Sequence, residues 1–88
     1  MEHWALVTGA SRGIGKAIVW ELRRTYPDMP ILATARNIES QNEFNSDMIT
    51  LLNADVSTEE GVLMIVSAME GKQVMYLFNN AGYLPTPE

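Results

Sequence analysis

The chain has no cysteine and a single histidine, His3, among its 88 residues. These absences exclude a disulfide framework, a thiolate metal site and a histidine cluster, so metal catalysis is not expected. Basic residues are also few. Six basic residues against eleven acidic ones give a net charge of -5, which argues against general binding to nucleic acid or anionic lipid. Any anion that binds must therefore be held by local geometry.

Long apolar runs are missing as well. No run approaches the roughly 20 residues that a membrane span needs, and Met1-Glu2-His3 does not begin a signal peptide. A cytoplasmic location without membrane contact is the resulting expectation. With 47% hydrophobic and 19% charged residues, the composition is typical of an ordinary globular domain. A chain of this length forms one small domain with a marginal core.

Short apolar runs and segments of helical periodicity alternate along the chain. Four apolar runs predict buried strands at residues 4–7, 31–35, 48–54 and 74–78. Strands that alternate with helices indicate the α/β class, with a parallel sheet and right-handed crossovers. Residues 37–47, between the second and third strands, are polar and fit either a loop or a loop with one short helix.

Two helices are predicted. The first runs from Gly13 to Tyr26-Pro27, and its expected inner face comprises Ile14, Ala17, Ile18 and Leu22. The second begins at a capping-box pattern, in which the Ser57 hydroxyl and the Glu60 carboxylate would satisfy helix-start amides. Gly71 ends this helix. Its expected apolar stripe comprises Val62, Ile65, Val66 and Met69.

The carboxyl ends of parallel strands are where such sheets bind ligands. The end of the first strand is the most specific, since residues 8–15 read TGASRGIG. Gly9 would allow a tight turn, Gly13 would remove a Cβ where a pyrophosphate must approach, and Gly15 would let the helix pack on the sheet. The helix-start amides and the helix dipole would then bind an anion. A turn that binds nothing is the alternative.

The spacing T-G-x-x-x-G-x-G resembles the cofactor loop of the short-chain dehydrogenase/reductase family. The Asp55-Val56 pair after the third strand and the Asn79-Asn80-Ala81-Gly82 segment after the fourth are similar to two further family motifs, in the same order. The resemblance covers nearly the whole chain. It implies a Rossmann-like doubly wound parallel sheet of about four strands, in the order 3-2-1-4, with two to three helices.

The resemblance also implies a set of dinucleotide contacts. The Asp55 carboxylate would accept from the adenine amino group, Val56 would offer its backbone, and the backbone after the fourth strand would line the adenosine ribose. Taken singly, Asp55 reads equally as a solvated carboxylate and the asparagine segment as a turn. The expected cofactor-binding residues are Gly9, Ser11, Arg12, Gly13, Ile14, Gly15, Arg36, Asp55, Val56, Asn80, Ala81 and Gly82.

The end of the second strand, ATARN, bears on the choice of dinucleotide. NAD-binding members of the family place a carboxylate there, which binds the ribose hydroxyls and would repel a 2′-phosphate. This chain has Ala35 at that position, followed by Arg36, with Arg12 in the glycine-rich loop. Two guanidinium groups would favour NADP over NAD. The alternative is that both arginines are ordinary solvated charges.

The family's proton-transfer pair, Tyr-x-x-x-Lys, is absent from these 88 residues. The residues four positions after Tyr26, Tyr76 and Tyr83 are Pro30, Asn80 and Pro87. No serine follows Ser67, whereas the family's substrate-orienting serine lies beyond the NNAG segment. We therefore expect residues 1–88 to be an NAD(P)-binding Rossmann half-domain, truncated before the catalytic half, with no catalytic residue and no turnover of its own.

Two functions remain open from the sequence. The first is the NADP-binding part of an oxidoreductase that acts on a carbonyl or alcohol, and the second is a non-catalytic nucleotide-binding or interaction module. A methyltransferase would leave the NNAG segment and Arg36 without a role. The substrate is not readable. The fourth strand is expected to be an unprotected apolar edge, so self-association into a homo-oligomer is a further expectation.

Overall fold

The structure is a computed structural model that describes residues 3–11, 13–40, 44 and 47–79. Four strands are present in the described residues: β1 His3–Thr8, β2 Ile31–Ala35, β3 Ile49–Asn53 and β4 Gln73–Asn79. Two α-helices connect them, α1 Gly13–Thr25 and α2 Glu59–Ala68. A 3-10 turn at Ile38–Ser40 lies between β2 and β3, so part of the polar segment 37–47 is helical.

The strands form one parallel sheet in the order β3-β2-β1-β4, which confirms the predicted order 3-2-1-4. β1 and β2 lie in the centre and are buried along residues 5–8 and 31–34. Continuous apolar sequence suits these strands because helices cover both of their faces. The carboxyl ends of β1, β2 and β3 consequently meet at one edge of the sheet.

Each face of the sheet carries its own apolar cluster, as expected for a doubly wound fold. The larger cluster packs α1 and the β2–β3 connection on one face, and its members include Val7, Val19, Leu22, Ile31, Ile38 and Phe44. The smaller cluster packs α2 on the other face and comprises Leu6, Leu32, Ala54 and Ile65. The Trp20 and Phe44 rings stack with centroids 5.3 Å apart, which ties α1 to the β2–β3 connection.

The inner faces of both helices agree with the predicted ones only in part, since Ile18 and Leu22 of α1 and Ile65 of α2 pack against the core as predicted. α1 turns Gly15, Val19 and Leu22 inward, whereas Ile14 is 71% exposed and Ala17 is also exposed. Successive helical residues are about 100° apart, so a buried Gly15 leaves Ile14 on the outer side.

In α2 the buried residues are Gly61 and Ile65. Val62 and Val66 are exposed, so two of the four residues in the predicted stripe were wrong.

β4 is the least buried strand, and the prediction of a buried fourth strand was wrong. It forms an edge of the sheet, with Val74, Met75 and Leu77 between 41% and 61% exposed. Leu77 pairs with Leu6, which belongs to the cluster under α2. Leu77 is the most exposed of the three at 61%, so the sheet face at this residue is open among the described residues.

Candidate functional site

The carboxyl edge of the sheet brings three chain segments together. The Ala10 amide donates to the Thr34 carbonyl at 3.0 Å, which joins the glycine-rich turn to β2. The Ala54 amide donates to the Ala35 carbonyl at 3.0 Å, which joins the ends of β2 and β3. Residues that are 24 and 19 positions apart in sequence thus become neighbours at one edge.

The turn between β1 and α1 has the backbone conformation that its glycines predict. Gly9 has φ +63° and Gly13 has φ +62°, a left-handed conformation that other residues adopt only with strain. A Cβ atom added at Gly13 would have no neighbour within 4 Å among the described residues, so Gly13 faces open space beside the start of α1. Gly15 is buried, in agreement with close packing of α1 on the sheet.

The first turn of α1 is suited to an anion. It contains no acidic residue, and α1 is long enough, at 13 residues, to present a full helix dipole. The first amides of a helix have no partner within that helix. An anion at this position would therefore meet backbone donors and a positive partial charge without a competing carboxylate. The exposed Ile14 side chain borders the same turn.

The end of β2 carries Arg36, whose side chain is exposed. The pKa of the Asp55 carboxyl is lowered, mainly by hydrogen bonding from Ser57 and to a smaller extent by the positive charge of Arg36. The Ser57 hydroxyl donates to Asp55 Oδ1 at 2.6 Å and the Ser57 amide donates to the same oxygen at 2.9 Å.

The start of α2 corrects the predicted capping box. Thr58, and not Ser57, is the N-cap, and its hydroxyl oxygen accepts from the Gly61 amide at 2.9 Å. The Thr58 hydroxyl also donates to the Asp55 carbonyl at 2.9 Å. Ser57 is instead engaged by Asp55, which moves the cap one residue along the chain. The helix itself spans Glu59–Ala68, shorter than predicted at both ends.

Gly61 was not singled out from the sequence, although it sets the position of Asp55. A Cβ on Gly61 would lie 1.9 Å from the Asp55 carbonyl oxygen. Only glycine allows α2 to approach the end of β3 this closely. A glycine in the first turn of a helix was the available signal, because glycine is otherwise unfavourable there.

Asn53, the last residue of β3, forms a reciprocal pair of hydrogen bonds with Glu39 that the sequence did not reveal. The Glu39 amide donates to Asn53 Oδ1 at 2.9 Å, and the Asn53 amide donates to Glu39 Oε2 at 3.1 Å. The two residues are 14 positions apart, and neither residue type is distinctive at its position. Sequence periodicity carries no signal for such a contact.

The predicted site residues fall into two groups. The structure places Gly9, Ser11, Gly13, Ile14, Gly15, Arg36, Asp55 and Val56 at the carboxyl edge formed by β1, β2 and β3. Arg12, Asn80, Ala81 and Gly82 lie outside the described residues. Asn79, the first residue of the NNAG segment, is described, and its Oδ1 accepts from the Thr8 hydroxyl at 3.2 Å. That bond joins the end of β4 to the end of β1.

A parallel sheet in this order, with a glycine-rich turn at its central strand, defines a nucleotide-binding class of α/β protein. The family model of short chain dehydrogenases matches residues 3–88. The chain belongs to that family.

Individual relatives agree with this assignment. A very-long-chain 3-oxoacyl-CoA reductase-like protein of Arabidopsis thaliana is 33% identical over 90% of this chain and 27% of its own length. A short chain dehydrogenase/reductase structure from Saccharomyces cerevisiae superposes with a TM-score of 0.79 at 28% identity, over 98% of this chain and 36% of that one. An NADPH dependent reductase involved in bacilysin biosynthesis superposes with a TM-score of 0.64 at 28% identity, over 80% and 32%.

The chain thus spans about a third of the length of these relatives. In the part of the chain that the structure describes, neither helix has the length and apolar character needed to cross a bilayer.

Proposed function

We propose that this chain is the NADP-binding part of a short-chain dehydrogenase/reductase that transfers hydride between a nicotinamide cofactor and a carbonyl or alcohol substrate. The observation that carries the proposal is the carboxyl edge itself. A carboxylate-free helix start behind two left-handed glycines lies beside a strand end that bears an exposed arginine. Because the chain belongs to the short chain dehydrogenase family, the ligand expected at this site is a nicotinamide cofactor.

The residues present fit a dinucleotide. Open space at Gly13 gives room for a pyrophosphate against the backbone, and the helix-start amides are its donors. Asp55 Oδ1 already accepts two bonds from Ser57, so we assign contact with the adenine amino group to Asp55 Oδ2. The proposed cofactor-binding residues remain Gly9, Ser11, Arg12, Gly13, Ile14, Gly15, Arg36, Asp55, Val56, Asn80, Ala81 and Gly82.

NADP is proposed in preference to NAD because of the end of β2. Ala35 stands where NAD-binding relatives carry a carboxylate, and the exposed Arg36 follows it. A ribose 2′-phosphate would gain charge-assisted bonds from Arg36 and Arg12. The structural neighbour described as NADPH dependent supports the same choice. Two such contacts would favour the phosphate by about one to two orders of magnitude after desolvation.

The nicotinamide cofactor, when bound, supplies or accepts the hydride. This chain's own residues would bind and orient the adenosine and pyrophosphate portion. Proton transfer is assigned to residues outside these 88, because no Tyr-x-x-x-Lys pair occurs among them. The same observation favours a second candidate, a non-catalytic nucleotide-binding or interaction module. A cytoplasmic location and a homo-oligomeric state stay predictions from the sequence.

The test is cofactor binding by the 88-residue chain, measured by calorimetry with NADPH and NADH. The chain should prefer NADPH, and Arg36→Asp should reverse the preference. Arg24→Asp is the matched control, since it makes the same charge change on an exposed residue in the last turn of α1. Equal affinity for the two dinucleotides in the unchanged chain would refute the roles of Arg12 and Arg36.

Turnover by a longer chain separates the two candidate functions. The purified 88-residue chain should reduce or oxidise a panel of carbonyls and alcohols only at background rate, whichever candidate is correct. A longer chain from the same reading frame that turns over NADPH would establish the oxidoreductase. A reading frame that stops at Glu88, with nucleotide binding intact, would establish the non-catalytic module.

A further inference from the structure

Glu39 and Asn53 form a reciprocal pair of hydrogen bonds at the edge of the proposed ribose site. Each residue donates its backbone amide to the side chain of the other, at 2.9 Å and 3.1 Å. Glu39 lies in the 3-10 turn after β2, and Asn53 is the last residue of β3. The pair therefore joins two segments that are separated by 14 positions in sequence.

Arg36 lies between two points at which its segment is attached to the end of β3. On one side, the Ala35 carbonyl accepts from the Ala54 amide at 3.0 Å. On the other side, the Glu39–Asn53 pair makes the attachment. Two consecutive residues at the end of β3 thus hold both ends of the short turn that carries Arg36, and Asp55 follows them directly.

Stability alone does not account for the pair. Glu39 is exposed. Its hydrogen bonds add little to the free energy of folding, because in the unfolded chain the same groups bond to water. The neighbouring Ile38 is fully buried and already anchors the turn in the core. A carboxylate beside a phosphate site also opposes phosphate binding by simple repulsion. What the pair supplies is a fixed orientation of the turn relative to the end of β3.

We propose that Glu39 and Asn53 are positioning residues that hold the Arg36 turn against the end of β3 and thereby set the preference for a ribose 2′-phosphate. The inference rests on the proposed NADP-binding function. A turn held in its binding conformation loses less freedom when the ligand binds, so the pair raises affinity through preorganisation and not through contact.

The test compares two substitutions of one residue. Glu39→Gln keeps an oxygen acceptor for the Asn53 amide but removes the charge, whereas Glu39→Ala removes both. The ratio of NADPH affinity to NADH affinity is measured by calorimetry for each. Glu39→Gln should keep or raise the ratio of the unchanged chain, and Glu39→Ala should lower it about tenfold. Asn53→Ala, which keeps the carboxylate, should lower the ratio as well.

Glu21→Ala and Glu21→Gln are the matched controls, because Glu21 is an exposed carboxylate that accepts side-chain bonds on α1. Neither should change the ratio. Equal ratios in Glu39→Ala and Glu39→Gln would overturn the positioning role, as would an unchanged ratio in Asn53→Ala. If the unchanged chain shows no preference for NADPH, the proposed NADP function fails at that earlier step and this inference fails with it.

Discussion

The two turns that lead from a strand into an α-helix treat their helix starts in different ways. At α2 the chain satisfies its own amides, because Thr58 caps the Gly61 amide and Glu59 and Glu60 lie in the first turn. At α1 the first turn has no acidic residue, and the turn before it depends on two left-handed glycines. One start is completed by side chains of the chain, whereas the other is kept clear of negative charge.

The difference indicates that the two turns have different roles at the carboxyl ends of the strands. The β3–α2 turn is a scaffold, in which bonds from Ser57 and Thr58 fix both the side chain and the carbonyl of Asp55. The first turn of α1 carries no acidic residue, and under the proposed function its amides would be the donors for the pyrophosphate of the cofactor. Substitutions in the two turns should therefore affect different properties.

The largest effect is expected at Gly61. Gly61→Ala would place a Cβ 1.9 Å from the Asp55 carbonyl oxygen, so α2 must move away from the end of β3. We expect a loss of about 3 kcal/mol in the free energy of unfolding, because the obstacle is backbone and not a flexible side chain. Denaturant unfolding measures this loss.

Gly13→Ala is the control for Gly61→Ala. It meets no described atom within 4 Å and is opposed only by φ +62°, so it should cost about 1 kcal/mol. The scaffold role of the β3–α2 turn would be wrong if Gly61→Ala were no more destabilising than Gly13→Ala.

The next effect concerns binding at α1. Ile14→Glu adds a carboxylate to an exposed position in the first turn of α1, where it stabilises the helix through the dipole. The same charge should weaken NADPH binding about tenfold by repulsion of the pyrophosphate. Calorimetry and thermal melting are the two measurements.

Ile14→Gln has nearly the same shape as Ile14→Glu without the charge, and it should bind NADPH about ten times more tightly than Ile14→Glu does. Stability and affinity that rise together in Ile14→Glu would show that no anion binds at this helix start.

A smaller effect is expected for the cap of α2. Thr58→Ala removes the acceptor of the Gly61 amide and should lower the free energy of unfolding by about 1 kcal/mol. Thr58→Ser keeps the hydroxyl and should be close to the unchanged chain. Ser57→Ala should cost less than Thr58→Ala. The opposite ranking of Ser57 and Thr58 would restore the capping box that the sequence predicts.

The smallest effect is a pH dependence. Bonds from Ser57, and to a lesser degree the charge of Arg36, lower the pKa of the Asp55 carboxyl. A carboxyl with a lowered folded-state pKa stabilises the fold above its unfolded pKa of about 4, and this contribution is lost as the pH falls through the folded value. In an NMR titration, Ser57→Ala should raise the pKa of Asp55 more than Arg36→Ala does. An unchanged Asp55 pKa in Ser57→Ala would contradict the assignment.

Much of the fold could be predicted because its signals are local. The apolar runs gave β1 and β2 almost residue for residue, and the glycine spacing gave the start of α1. Strand order came from the resemblance to the family, which periodicity alone does not supply. The left-handed conformations at Gly9 and Gly13 were predictable because glycine adopts them without a steric penalty.

The features that escaped prediction depend on contacts between distant segments. Ser57 and Thr58 are equally good caps by type, and the Asp55 side chain decides between them by engaging Ser57. The inner face of α2 is set by the close approach of Gly61 to Asp55, which turns Val62 outward. The Glu39–Asn53 pair exists only once β3 lies beside β2.

The difference between the two turns is tested most directly by an NMR titration of the chain with NADPH, following backbone amide shifts. The amides of Gly9, Ser11, Gly13 and Gly15 should shift most, because under the proposed function the pyrophosphate would accept from this turn. The amides of Glu59, Glu60 and Gly61 should change little, since that helix start is capped by Thr58. Equal shifts at both helix starts, or calorimetric binding without shifts in the glycine-rich turn, would contradict the account.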